Sequence, residues 1–307
     1  MSETEFPLRP CPACGANESG AEVSSRQRAE SITLDQLRPF WSGFFKEKVF
    51  FTYSRCAGCG QLYAPHFFTR DQLGELYANM APNMEDVPGP ALEATQRGYW
   101  RAAKARQLPE GGYLEIGPDI GYIVRDAVAD GKFDRFWLFE PNRAVHDELA
   151  RAAGDRPHTI STDMDDLSPV PDGSIALAVM IHVLDHLLDP IAILRQVHRK
   201  LAPGGTLMVV THNEQSLLRR VLGTKFPPFC LQHPELYNPR SMKRLLESAG
   251  YSRAEVSRST NYFPIGFLIR QLAWAVGINL TRSPLPGTAI GLKLGNMIGF
   301  GTKGDAA

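Results

Sequence analysis

The sequence predicts an α/β fold, in which a mainly parallel sheet with crossover helices follows a small cysteine-rich module. From residue 113 onward, short apolar runs alternate with helical patterns, which is typical of parallel strands joined by helices. A glycine turn follows the first apolar run, and two C-x-x-C pairs lie further towards the N-terminus. A chain of 307 residues can hold one large domain and a small one.

The small module is predicted to cover residues 1–78, and its cysteines indicate a metal site. Four of the five cysteines form two pairs, Cys11 with Cys14 and Cys56 with Cys59, and each pair is followed by a glycine that relieves a tight turn. Such spacings in a reducing compartment favour metal over disulfide, so we predict a structural Zn²⁺ bound by four thiolates in a ribbon of short strands. A thioredoxin-like redox pair and unrelated free thiols are the alternatives.

Helices and strands can be placed in order after this ribbon. The segment 69–77 has helical spacing, a proline-rich break follows, and the pattern over 91–108 predicts a helix in a linker spanning 79–112. The predicted strands are 113–117, 133–140, 158–162, 174–183 and 205–212. The predicted helices are 122–131, 142–154, 190–202 and 239–251. The all-apolar run IALAVMI indicates a strand that is buried on both faces.

Charge and hydropathy limit the expected partners. Lys and Arg total 33 and Asp and Glu total 33, so no net field attracts the protein to nucleic acid or anionic lipid. The N-terminal residues lack the basic and apolar regions of a secretion signal, which predicts a cytoplasmic protein. The apolar segment 263–280 contains Pro264, Arg270 and Gln271 and is a poor membrane span. We expect it to form a helix packed over the cleft, with peripheral membrane contact or a dimer contact as alternatives, and the oligomeric state stays open.

The glycine turn YLEIGPDIGY carries more acid than a phosphate-binding loop tolerates. Glu115 precedes Gly117, and Asp119 lies between Gly117 and Gly121, so a pyrophosphate would be repelled. Tyr122 stands where the dinucleotide fingerprint has its third glycine, which argues against NAD. A ligand with a sulfonium, an ammonium group and a ribose but no phosphate suits these carboxylates, and S-adenosylmethionine (SAM) is such a ligand.

The motif E-x-G-x-D-x-G in this turn resembles the first motif of class I SAM-dependent methyltransferases, usually acid-x-G-x-G-x-G. Asp119 departs from that pattern, although aspartate tolerates a left-handed backbone better than most residues. The resemblance implies a Rossmann-like, seven-stranded methyltransferase sheet within residues 79–307, closed in antiparallel fashion by 254–259 and 293–303. It also implies a set of SAM-binding residues: Glu115, Gly117, Asp119, Gly121, Glu140, Asp163 and Met164.

The resemblance assigns separate roles to the strand ends. Glu140, at the end of the second strand, would accept both ribose hydroxyls. Asp163 would accept from the adenine amino group, with Met164 against the ring. His182 follows the carboxyl end of the fourth strand, at the rim of the cleft, and is expected to line the SAM pocket, with a satisfied core histidine as the alternative. The fourth strand continues into VLDHLLDP, which resembles the family pattern V-L-E-H-x-x-D-P with Asp185 in place of the glutamate.

Two histidines are the candidates for catalysis. Methyl transfer from a sulfonium needs positioning and no protein nucleophile, but an acceptor hydroxyl needs a base, and histidine is best matched to neutral pH. The segment QHPELYNP around His233 resembles the family pattern E-H-x-x-x-F-T-P, with Gln232 in place of the acid. His186 matches the histidine of V-L-E-H. We therefore predict His233 as the base, with binding of the acceptor hydroxyl as its alternative role. His186 is a second catalytic candidate, with a local backbone cap as the alternative.

The combination of both parts resembles a zinc-containing family that includes deoxysugar C-methyltransferases, without the extra C-terminal domain of those enzymes. It implies a small-molecule acceptor, methylated at a hydroxyl or carbon of a sugar or another natural product. Tyr63, Tyr77 and Tyr99 are candidate substrate contacts, although each has a packing interpretation. A zinc module before a SAM domain is also similar to certain ribosomal RNA methyltransferases, but the balanced charge argues against RNA. A non-catalytic SAM-fold binding protein is the remaining alternative.

Overall fold

A computed structural model describes residues 5–41, 48–78, 89–266, 268–270 and 288–304. Its N-terminal segment is built of short elements: β1 (Ser19–Val23), β2 (Gln27–Arg28), α1 (Leu34–Leu37), β3 (Val49–Phe50), β4 (Tyr53–Cys56), β5 (Leu62–Tyr63) and α2 (Arg70–Ala78). Aromatic side chains join them, because the rings of Phe6, Phe51 and Phe68 meet edge to face with centroids 4.9 to 5.3 Å apart. The segment therefore supplies most of an apolar core, to which Leu231 also contributes.

The remaining elements alternate as predicted. They are α3 (Gly89–Lys104), β6 (Gly112–Ile116), α4 (Tyr122–Asp130), β7 (Phe136–Phe139), α5 (His146–Ala153), β8 (His158–Ser161), β9 (Ile175–Ile181), α6 (Pro190–Lys200), β10 (Leu201–His212), α7 (Leu217–Leu222), β11 (Glu235–Leu236), α8 (Pro239–Ser248), β12 (Arg253–Arg258), β13 (Asn261–Pro264), β14 (Ala289–Leu292) and β15 (Asn296–Thr302). Each strand and helix predicted from 113 to 259 is present, with its ends shifted by a few residues.

Seven strands form one sheet in the order β12-β15-β10-β9-β6-β7-β8. The five strands from β10 to β8 in this order are parallel, whereas β15 runs antiparallel to both β10 and β12. All of β9 is buried: Ala178 and Met180 enter one apolar core, and Leu177 and Val179 enter another. The α/β class with a seven-stranded, Rossmann-like sheet is confirmed, and so is its antiparallel closure.

Two helices begin at capping signals that the sequence displays. Asp189 caps α6 by accepting from the backbone N–H of Ala192 at 3.0 Å, and a proline opens the helix. Asn238 caps α8 in the same way, again with a proline at the first helical position. These caps fix the ends of the loops that carry His186 and His233.

β11 belongs to the sheet of the N-terminal segment and not to the central one. It pairs antiparallel with β5, with Glu235 opposite Tyr63, and completes a sheet in the order β1-β4-β5-β11. Arg9 adds a second tie, because its guanidinium donates to the Glu235 carboxylate at 2.8 Å and to the carbonyl of Pro234 at 2.7 Å. The residue pattern of Glu235 and Leu236 predicts no strand. The chain just before β11 is therefore held by the N-terminal segment.

The apolar segment 263–280 lies largely outside the described residues, which omit 267 and 271–287. Phe263 and Pro264 lie in β13, paired with β14, whereas residues 265–266 and 268–270 are helical, so the helix begins two residues later than expected. The peripheral membrane or dimer contact of this segment stays a prediction. Within the described ranges, no helix is both long enough and apolar enough to cross a membrane.

Candidate functional site

The glycine turn between β6 and α4 depends on left-handed backbone. Gly117, Asp119 and Gly121 have φ of 70°, 51° and 78°. A Cβ at Gly117 would also lie 2.5 Å from Cγ2 of Val183, and one at Gly121 would lie 2.8 Å from Cβ of Ala152. Both glycines are therefore required by conformation and by space, whereas Asp119 occupies a left-handed position that aspartate tolerates.

Replacing Gly117 with alanine is expected to destabilise the protein by about 2 to 6 kcal/mol, since left-handed strain and a forced contact with Val183 each cost about 1 to 3 kcal/mol. Chemical denaturation measures this loss. Gly98→Ala is the matched control, because Gly98 lies within α3 with no neighbour that a Cβ would meet. That control should stabilise the fold by about 0.5 to 1 kcal/mol. Equal stability of Gly117→Ala and wild type would contradict the packing argument.

Two buried carboxylates flank the turn. Glu115 accepts from the hydroxyl of Tyr113 at 2.6 Å, and burial raises the pKa of Glu115 to about 8. Glu140 follows β7; one of its oxygens accepts from the backbone N–H of Asp119 at 2.9 Å and the other from that of Asn142 at 2.8 Å. Burial raises the pKa of Glu140 as well. Glu140 thus ties the glycine turn to the end of the neighbouring strand.

Asp163 and Met164 lie in the loop after β8, at the same end of the sheet. Asp163 is exposed, and its carboxylate accepts from the backbone N–H of Asp165 at 3.0 Å. Met164 is half-buried against an apolar core. Asp165 forms an ion pair with Arg70 at the start of α2, so the N-terminal segment contacts this loop.

Four histidines form a cluster at the carboxyl ends of β9 and β10: His182, His186, His212 and His233. Their ring centroids follow one another in the order His186, His233, His212 and His182, at distances of 4.6, 5.2 and 4.6 Å. The structure thus brings three predicted histidines together. His212 is not among the site residues predicted from the sequence. It could have been found from its position, because it ends the fifth parallel strand at the same sheet edge as His182.

His233 is buried and held in one orientation. Its Nδ1 lies 2.7 Å from the carbonyl oxygen of Pro228, to which it donates, and 3.3 Å from Sγ of Cys230. The hydroxyl of Tyr53 donates to the backbone carbonyl of His233 at 2.6 Å. Burial opposes a second proton on the ring, but the Cys230 thiol and the Asp185 carboxylate outweigh burial and raise the pKa of His233. It is therefore a stronger base than a free histidine, with a smaller neutral fraction at neutral pH.

His186 contacts the N-terminal segment. Its Nδ1 lies 2.9 Å from the hydroxyl of Tyr77, whose ring packs edge to face on Trp41 at 4.9 Å. Burial lowers the pKa of His186 to about 3. Of the other candidate tyrosines, Tyr63 packs on the cysteine pairs and Tyr99 donates to Asn261, so only Tyr77 reaches the cluster.

Asp185 lies beneath these rings and is fully buried. Neither of its oxygens has a hydrogen-bond partner among the described residues, and the nearest ring nitrogen is Nε2 of His212 at 3.8 Å. Burial alone would raise the pKa of Asp185, but the surrounding imidazoles hold it below its usual value. Burial also lowers the pKa of His212 and of His182.

The amino-acid sequence of this part of the chain matches a known protein family. Residues 92–256, more than half of the chain, match the family described as a methyltransferase domain. The chain belongs to this methyltransferase family. Its enzyme class is that of the SAM-dependent methyltransferases. No protein in a search of curated sequences matches significantly.

Solved structures of SAM-dependent methyltransferases are similar to this methyltransferase at low identity. One from Thermotoga maritima has 19% identity and a TM-score of 0.46, and the match covers 69% of this chain and 91% of the other. One from Listeria monocytogenes has 12% identity and a TM-score of 0.48, covering 68% and 99%. One from Archaeoglobus fulgidus has 14% identity and a TM-score of 0.47, covering 70% and 94%. The family match, and not these structures, identifies the chain.

The N-terminal segment of the methyltransferase gathers its four paired cysteines. Sγ of Cys11 lies 3.6 Å from that of Cys59, Sγ of Cys14 lies 3.6 Å from that of Cys56, and all four lie within 4.8 Å of one another. Tetrahedral zinc at about 2.3 Å from each sulfur separates sulfurs by roughly 3.8 Å. Left-handed glycines follow both pairs and donate to Cys11 and Cys56 carbonyls. The donor set therefore fits the predicted structural zinc.

Proposed function

We propose that this methyltransferase transfers the methyl group of SAM to a hydroxyl or carbon of a small molecule, such as a sugar or another natural product, with His233 as the base. The observation that carries the proposal is the position of the histidine cluster. It lies at the carboxyl end of the parallel strands, where open α/β sheets bind ligands. Val183, next to His182 in the chain, limits the space at Gly117 in the glycine turn. Donor and acceptor sites would thus be neighbours.

The residues around the turn fit SAM. Glu115 and Glu140 are buried carboxylates, and a cationic sulfonium and ammonium would offset the cost of their burial. Each oxygen of Glu140 accepts one backbone N–H, which leaves further lone pairs for the two ribose hydroxyls. When bound, SAM supplies an electrophilic methyl carbon. Asp163 and Met164, in the loop after β8, would hold the adenine.

The histidines supply the acceptor side. Because Nδ1–H of His233 donates to Pro228, Nε2 is the nitrogen that takes a proton, and no described residue bonds it. The neutral form of His233 can then remove the acceptor proton as the methyl carbon bonds to the acceptor and separates from sulfur. His186, anchored on Tyr77, would orient the acceptor through its other ring nitrogen.

SAM binding is expected to release protons at neutral pH. A carboxyl group with a pKa of about 8 is mostly protonated at pH 7, and an approaching cation favours ionised Glu115 and lowers its pKa. The affinity should therefore rise between pH 6 and 8, by at most about tenfold per pH unit, and level off above pH 8. Calorimetry in buffers of different ionisation enthalpy measures the released protons. Glu115→Gln should release fewer, and equal release from both proteins would contradict this role.

The acceptor class is tested by incubating the protein with labelled SAM and a panel of nucleotide sugars and polyketide glycosides, followed by mass spectrometry of the products. Label in a panel compound supports the proposal. RNA at low salt is the comparison, because phosphate contacts weaken steeply as salt increases. Label in RNA alone would replace the small-molecule proposal, and absence of SAM binding in calorimetry would refute catalysis itself.

A further inference from the structure

We infer that His182, Asp185 and His212 form a second metal site, which binds a divalent transition-metal ion beside the proposed base. One nitrogen of each ring and one carboxylate oxygen lie within 4.8 Å of one another. Two imidazoles and one carboxylate are a donor set that binds such ions with coordination positions left open. Binding of the ion does not depend on the proposed function, but its role in methyl transfer does.

Asp185 is the first reason for a cation at this position. Its side chain is fully buried, and neither oxygen has a hydrogen-bond partner in the described part of the chain. An ionised carboxylate buried without a partner costs several kcal/mol, and buried charges in proteins are normally paired or bound to metal. A bound cation would remove this cost.

The orientation of His212 is the second reason. Its Nδ1–H donates to Oδ1 of Asn296 at 3.1 Å, so Nε2 of the neutral ring presents a lone pair. That nitrogen lies 3.8 Å from a carboxylate oxygen of Asp185. Two acceptors therefore face each other, and a cation between them satisfies both. In metal-binding histidines, the ring nitrogen that does not bind the metal usually donates its N–H to an oxygen, as Nδ1 of His212 does.

His182 completes the set. It directly follows β9 with a left-handed φ of 52°, which is uncommon for a residue other than glycine and is typical of functional sites. Its Nδ1 is buried without a hydrogen-bond partner among the described residues. Nδ2 of Asn296 donates to its Nε2 at 3.2 Å, so one amide holds both rings and Nε2 is the nitrogen with the lone pair. If that contact is lost when His182 turns to the ion, the cost is about 1 kcal/mol.

The chemistry of the donors selects the ion. Imidazole suits Zn²⁺, Fe²⁺ or Co²⁺, whereas Mg²⁺ and Ca²⁺ prefer oxygen donors. An ion about 2.1 Å from each donor atom holds neighbouring donor atoms roughly 3.0 to 3.4 Å apart. The distance of 3.8 Å between Nε2 of His212 and the Asp185 carboxylate oxygen therefore has to shorten by less than about 1 Å.

With three protein ligands, the ion could act as a Lewis acid on an acceptor hydroxyl and favour loss of its proton. The proton would pass to His233, whose ring centroid lies 5.2 Å from that of His212. The acceptor oxygen would bond to the methyl carbon, and the electron pair of the broken sulfur–carbon bond would return to sulfur.

Equilibrium dialysis of the full, zinc-loaded chain against Co²⁺ tests the site, with zinc content followed to exclude exchange. One additional equivalent of Co²⁺ is expected. Asp185→Asn keeps the shape of the side chain and should weaken Co²⁺ binding at least about 100-fold, since outer residues of metal sites alone cost 10- to 100-fold. Asp166→Asn, the same change at an exposed carboxylate, is the matched control and should bind as wild type.

His212→Gln is a second variant in case Asp185→Asn does not fold, which circular dichroism reports. The site would be overturned if wild type bound no additional equivalent of Co²⁺ at millimolar concentration, or if both folded variants bound Co²⁺ as wild type does. A protonated imidazole would then be the partner of Asp185. Calorimetry with SAM on the same samples separates the proposals. Co²⁺ binding without SAM binding refutes the proposed function alone, and methyl transfer without Co²⁺ binding refutes the metal site alone.

Discussion

Replacing Cys56 with serine is expected to remove the predicted structural zinc, unfold the N-terminal segment and reduce methyl transfer at least about 100-fold. Structural zinc contributes about 10 to 16 kcal/mol in small zinc modules, which is as large as the whole stability of most domains. Cys56 is buried at the end of β4, with its sulfur 3.6 Å from that of Cys14. Serine cannot replace the thiolate as a zinc ligand at this buried position.

The loss should reach the histidine cluster through three contacts. Tyr53, three residues before Cys56, donates to the backbone of His233. Arg9, two residues before Cys11, donates to Pro234 and Glu235. In addition, β5 pairs with β11 directly after the His233 loop. Without the N-terminal segment, this loop loses the partners that orient the proposed base.

Metal analysis, circular dichroism and turnover of the Cys56→Ser protein measure these effects. Cys230→Ser is the matched control: the remaining cysteine lies outside the four-cysteine group, so this variant should keep its zinc. Chelation of zinc from the wild-type protein should give the same loss of turnover as Cys56→Ser. A zinc-free variant with wild-type turnover would show that the N-terminal segment does not position the site.

The central sheet could be predicted from the sequence because its signals are local. The run IALAVMI in β9 is apolar at every position, and the structure buries all of it. Asp189 and Asn238, each followed by proline, mark where α6 and α8 begin. The acids and glycines around Gly117 likewise lie within a few residues of one another, so their pattern could be read directly.

The acceptor side could be predicted only in part, because it depends on contacts between distant residues. β11 has two residues and no periodicity of its own, and its partner β5 lies more than 170 positions earlier in the chain. Asn296 contacts His182 and His212 only because β15 lies beside β10 in the sheet. The lack of a hydrogen-bond partner for Asp185 among the described residues results from packing, and no residue pattern predicts it.

The largest effect on the chemical step is expected from His233. Replacing it with asparagine should lower turnover by about 10²- to 10⁴-fold, the usual contribution of a general base, while SAM affinity changes by less than about twofold. The side-chain amide of asparagine can donate to the carbonyl of Pro228, as Nδ1–H of His233 does in the wild type. The loop therefore keeps this hydrogen bond. What the variant lacks is the second ring nitrogen, Nε2, which would take the proton.

His233→Ala removes both ring nitrogens. Comparing it with His233→Asn separates proton removal from the hydrogen bond to Pro228. It should lose turnover to at least the same extent and also lower thermal stability, because the buried carbonyl of Pro228 loses its donor, at a cost of about 1 to 3 kcal/mol. His198→Asn is the matched control, since His198 packs on Tyr251 away from the cluster and should keep full turnover. Single-turnover rates and SAM calorimetry on all three variants measure both quantities. Undiminished turnover in His233→Asn would assign proton removal to another group, and a loss of SAM affinity equal to the loss of turnover would make His233 a binding residue.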